Sequence, residues 1–145
     1  MENKKGAPRF PMPMRGLLLL VGMYTFAWGA FFKWFGEPLL SWLAIQIETP
    51  IATNTNVFGS FGMLIGFLVF LSAFYPISWL YFILAGIIGK LISGVWFILA
   101  YGELLGFNKR TLFHLGFNEF AGMIILSIIL IRALKVKKYL KTLPD

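Results

Sequence analysis

Residues 77–101 read ISWLYFILAGIIGKLISGVWFILAY, and the only charged side chain in that run is Lys90. A hydrocarbon layer of about 30 Å takes about 20 apolar residues in helical form, so this stretch is long enough to cross a bilayer. Immediately before it, Tyr75-Pro76 leaves room for only a tight turn, and the run from about Val57 to Tyr75 is again apolar. The two are expected to form a helical hairpin of neighbouring spans. Further out, a run from about Gly16 to Phe35 is closed by Glu37-Pro38, and another runs from about Leu112 to Leu134.

The chain has 145 residues, 59% hydrophobic, 18% aromatic and 13% charged, which leaves too little polar surface to coat a soluble globule. The expected fold is all-α: an integral membrane four-helix bundle forming one domain over about residues 16–135, with spans at about 16–35, 57–75, 77–101 and 112–134. Residues 1–15 carry Lys4, Lys5, Arg9 and Arg15 among Pro8, Pro11 and Pro13, and are expected to form an extended, basic cytoplasmic lead. The first apolar run is too long, holds bulky Trp28, Phe31 and Phe32, and lacks a small-x-small site, so it is read as retained rather than cleaved. Leu39–Ile47, too short to cross and bearing Trp42, is expected to be an interfacial helix, with Glu48–Asn56 a polar loop behind it. Residues 136–145 form a basic tail.

Basic residues set the orientation. Lys4, Lys5, Arg9, Arg15, Arg132, Lys135, Lys137, Lys138 and Lys141 lie on one side, nine against the three of Lys33, Lys109 and Arg110. The excess marks the cytoplasmic face, and an even number of spans independently puts both termini on one side. The expected location is the bacterial cytoplasmic membrane, with both termini inside. The formal charge of +7 follows from this flanking pattern and calls for no nucleic acid.

With no cysteine and one histidine, thiolate chemistry, iron–sulfur ligation, c-type haem attachment and bis-histidine haem binding by this chain alone are excluded, and a metal site is not expected. No phosphate-binding loop, dinucleotide fingerprint or nucleophile elbow occurs. Nucleotide-driven work by this chain is therefore not expected.

Lys90 is the most informative residue. A lysine deep in a membrane helix costs about 2.5–3.5 kcal/mol on insertion scales and requires a partner or a wet cavity. Glu119 supplies one: it lies roughly 10 Å into the fourth span, against roughly 16–18 Å for Lys90 below the same surface, an offset that a side chain bridges. Asn118 stands beside Glu119, and His114 is one turn above Asn118 on the same face. Lys33, Glu37 and Glu103 extend this polar cluster toward the surface. The plainer account is that the Lys–Glu pair only fixes helix register. Likewise Trp28, Trp34, Trp42, Trp79 and Trp96 read first as belt residues and second as rings that stack on a quinone or isoprenoid. Gly62 and Gly66 form a GxxxG, and Ala85, Gly86, Gly89, Ser93 and Gly94 surround Lys90 with a groove for a neighbouring backbone.

Arg15 ahead of the first span, the end of that span at Gly29-Ala30-Phe31-Phe32-Lys33, the link at Pro76 and the pair Gly89-Lys90 together resemble the DoxX-like group of small four-helix bacterial membrane proteins. The string His114-Leu115-Gly116-Phe117-Asn118-Glu119-Phe120 is similar to the histidine, asparagine and acid of one branch. The resemblance spans about residues 15–135 and implies the bundle fold. For some members it also implies association with quinone-linked sulfur oxidation or with oxidative-stress partners, and it points to Lys33, Lys90, Asn118 and Glu119. The resulting expectation is an accessory bundle that binds a hydrophobic small molecule and works with a partner protein or a second copy, not an enzyme by itself. No covalent cofactor is expected. The alternatives are the membrane subunit of a quinone-linked oxidoreductase, in which Lys90 and Glu119 handle protons, and a small transporter.

Overall fold

The computed structural model describes residues 9–43, 55–105 and 108–143, without the side chains of 103–105. Among the described residues the chain is helical, with turns and no strand: α1 (Met12–Trp34), α2 (Gly36–Leu43), α3 (Asn56–Ser72), α4 (Leu80–Leu105), α5 (Lys109–Phe113), a π-helical segment (His114–Ala121) and α6 (Gly122–Lys141). The last three follow one another without a break and form one helical column. Met12–Trp34 and the Leu80–Gly102 part of α4 are long and apolar enough to cross a membrane, and Asn56–Ser72 is a shorter apolar helix.

Glycine decides how α1 and α3 meet. A methyl added at Gly22 would stand 2.5 Å from the backbone nitrogen of Phe70, and one at Gly29 would stand 2.5 Å from that of Met63. Gly59 and Gly66 face Lys33 and Phe26 of α1 in the same way. The two helices run antiparallel and touch backbone to backbone at two places seven residues apart on each chain segment, where only glycine leaves room. The expected Gly62–Gly66 motif is therefore part of a longer seam that includes Gly22 and Gly29. The α3–α4 hairpin packs differently: Gly86 and Gly89 receive the side chains of Val69 and Ile65, so the groove around Lys90 takes side chains rather than a backbone.

Some boundaries differ from the sequence reading. Glu37-Pro38 does not close α1; it lies in the first turn of α2, because proline's fixed φ suits a helix start. Residues 73–79 make a run of turns, longer than the expected two-residue link. The final helix continues through the basic residues to Lys141. Of the expected interfacial helix, the part up to Leu43 is helical, with Leu40 and Leu43 fully buried, while residues 44–47 and most of the loop after them lie outside the described residues, as do Lys4 and Lys5.

Two cores result. At the end where α2 and α5 lie, Phe32, Leu40, Leu43, Phe58, Phe97 and Tyr101 pack together. Toward the chain termini, the core is aliphatic, built on Leu18, Val69, Leu80, Ile83, Leu126 and Ile129. Asn108 caps α5 by accepting from the amides of Arg110 and Thr111, and its own amide donates to the carbonyl of Leu43 at 2.7 Å. Arg110 donates to the Trp42 carbonyl at 2.6 Å and stacks over that indole, so the short α2 is tied to the start of the last column.

Candidate functional site

Lys90 is 2% exposed in the middle of α4, and burial of an ammonium demands acceptors. Two come from the π segment. The Lys90 Nζ donates to the backbone carbonyl of Asn118 at 2.8 Å and stands 3.8 Å from Glu119 Oε1. Ser93, nearly one turn further along α4, hydrogen-bonds the same carboxyl group. Gly122 makes the arrangement possible: the lysine stem passes so close that an added methyl there would come within 2.7 Å of its Cε.

The π segment explains how adjacent residues Asn118 and Glu119 both face inward. Along this column the buried residues include Thr111, His114, Asn118, Gly122 and Leu126. Three consecutive steps of four would drift off one face of an α-helix with 3.6 residues per turn. The wider turns of the π segment hold them in line and turn carbonyls such as that of Asn118 away from regular helix bonding.

His114 is 3% exposed within an aromatic cage: ring centroids of Phe97, Phe32 and Trp28 lie 4.5, 5.4 and 5.6 Å from its own. Its Nδ1 pairs with the Asn118 amide nitrogen at 2.9 Å. Behind these groups is a cavity of about 30 Å³, bounded by Thr25, Trp28 and Gly29 of α1, Phe58 and Gly62 of α3, and the Lys90, Ser93, His114, Asn118 and Glu119 cluster. One water needs roughly 10–15 Å³ of such space. Thr25 Oγ1, His114 Nε2, Asn118 Oδ1 and Glu119 Oε2 are all buried and have no hydrogen-bond partner among the described residues.

The structure thus joins four of the expected site residues, Lys90, Glu119, Asn118 and His114. Lys33 is placed elsewhere: its ammonium donates to Ser60 Oγ at 2.8 Å and Asn56 Oδ1 at 3.2 Å, both on the first turns of α3. Thr55 secures the same junction through a hydrogen bond from its hydroxyl to the Phe32 carbonyl. Glu37 is exposed on α2, and the side chain of Glu103 lies outside the described residues. Of the tryptophans, Trp34, Trp42 and Trp79 are exposed, while Trp28 lines the cavity and Trp96 packs on Phe58. Sequence reasoning missed Thr25, a hydroxyl in an apolar helix, and Gly122, whose four-residue step from Asn118 was the available signal.

Compared with known protein families, curated proteins and solved structures, the chain matches none of them.

Proposed function

We propose that this chain is a multi-pass membrane protein of the bacterial cytoplasmic membrane, four helical columns with both termini inside, which seats the polar group of a small hydrophobic molecule in the cavity beside Lys90 and acts as an accessory to a protein partner. The membrane reading draws support from apolar side chains exposed on every column, among them Leu20, Leu64, Phe67, Leu99, Ile128 and Ile131. The binding reading rests on one observation: four buried polar atoms without partners among the described residues belong to the lining of a cavity already holding an ion pair. A pair that served only to fix helix register would require no such set, since unpaired buried polar atoms cost stability.

Two experiments test it. The sequence has no cysteine, so single cysteines at Lys109 and Lys138 report sidedness directly: a membrane-impermeant maleimide should label the first from outside intact cells and the second only after lysis. Labelling of both from one side rejects the four-span topology. For the site, the purified protein in detergent should unfold at higher temperature in the presence of small lipophiles with an oxygen head group, since a ligand at 100 times its Kd stabilises by about 2.7 kcal/mol. Glu119→Gln should reduce that shift. A panel of such lipophiles with no effect, or an equal shift in the variant, removes the binding role.

A further inference from the structure

The proposed binding site also discriminates among head groups, and the following inference rests on that binding reading. The key is the His114–Asn118 contact, in which Nδ1 of the ring meets one arm of the amide at 2.9 Å. A neutral imidazole has one donor and one acceptor nitrogen, and a carboxamide has a donor arm and an acceptor arm. If the amide donates to Nδ1, the ring proton sits on Nε2, and the cavity sees a donor from His114 and an acceptor from Asn118. If the amide is turned over, Nδ1 donates instead, and the cavity sees an acceptor from His114 and a donor from Asn118. Either way the unpartnered Nε2 of His114 and the free arm of Asn118 offer one donor and one acceptor together. Glu119 Oε2 adds an acceptor, and the Thr25 hydroxyl can serve as either.

A group that satisfies such a pair must itself donate and accept. A carbonyl or an ether oxygen only accepts and leaves a buried acceptor unpaired. A carboxyl or carboxamide does both but must fit three heavy atoms into about 30 Å³, where one water needs roughly 10–15 Å³. A hydroxyl fits on both counts. The carbon skeleton it hangs from must lie outside, and Tyr24 marks the way: it is the only exposed residue of the lining, and its ring stands edge-on to Phe117 of the π segment at 5.9 Å. Phe113 stacks on Phe117 in turn, at 5.3 Å. The exposed edge of the cavity lining is thus at Tyr24, beside the rings of Phe117 and Phe113.

We infer that the occupant of this cavity is the hydroxyl of a lipophilic alcohol or phenol, held jointly by His114 and Asn118, with its hydrocarbon part lying past Tyr24 and Phe117 along the outside of the helices.

The test uses the full-length protein in detergent and three probes with the same ten-carbon tail: 4-decylphenol, its methyl ether and decyl-benzoquinone. The phenol should raise the unfolding midpoint and bind at least tenfold more tightly than either of the others, by titration of the thermal shift. In Asn118→Leu the phenol's advantage over its ether should vanish, and a midpoint of that variant within a few degrees of the parent shows that it folds. Tyr24→Ala, outside the hydrogen-bonding set, should weaken phenol and ether alike. Equal binding of phenol and ether, tighter binding of the quinone, or an undiminished preference in folded Asn118→Leu would overturn the inference while leaving a lipophile site in place. If no probe shifts the midpoint, the binding reading itself fails and takes this inference with it.

Discussion

The two cores of this chain are made of different material. Toward the termini, Leu18, Val69, Ile83, Leu126 and Ile129 are fully buried aliphatic side chains, and none of the unpartnered polar atoms of the cavity lies among them. At the other end, Phe32, Phe58, Phe97 and Tyr101 pack together, Phe58 meets Phe32 and Tyr101 edge to face, and Phe32 and Phe58 also wall the small void beside the ion pair. Aliphatic chains in staggered rotamers fill space to high density. Aromatic rings prefer edge-to-face or offset contacts, which fix the orientation of each wall they form. The first arrangement suits holding helices together, and the second suits holding a shaped polar site.

Substitutions can break that contrast, in descending order of effect. Gly66→Leu drives a side chain into the backbone of α1 near Phe26 and Gly22, and should cost about 4–5 kcal/mol or prevent recovery of a monodisperse protein on size exclusion. Lys90→Met leaves a buried carboxylate without its cation, at about 3–5 kcal/mol in unfolding experiments, and adding Glu119→Gln should return most of the loss. If the double variant is as unstable as the single, the ion pair is not what the lysine provides. Leu126→Ala in the aliphatic core should cost about 2–5 kcal/mol and leave ligand-induced shifts intact. Loss of those shifts would mean that the two cores are coupled. The smallest effect is expected at the cavity wall: Thr25→Val deletes a hydroxyl without a partner among the described residues, and should change stability by about 1 kcal/mol or less, upward if at all. A loss of several kcal/mol would show that this hydroxyl is satisfied in solution.

The pairing of Lys90 with Glu119 was legible because a charge in an apolar run must find a partner, and helical rise alone limits where that partner can be. The all-helical fold was legible from the length of the apolar runs. Lys33 was expected only to extend the cluster toward the surface; its ammonium meets Ser60 and Asn56 at the start of α3, neutral acceptors that nothing in the sequence singles out. The glycine seam was half visible: Gly62 and Gly66 stand in a known motif, whereas Gly22, Gly29, Gly59 and Gly66 match only once two helices are set antiparallel. The π segment left almost no trace, since no residue type prefers it and its only sign is a run of four-residue steps through His114, Asn118, Gly122 and Leu126.

That wide segment also separates two properties that usually travel together. Thr111 on one side of it and Ala133 on the other are each seated in their own surroundings, and the eight residues between α5 and α6 absorb the angular mismatch between them. Length at this point is thus a tuning parameter: a chain shortened by a single residue there should rewind as ordinary α-helix and swing Asn118 and Glu119 away from Lys90, while both flanks keep their neighbours.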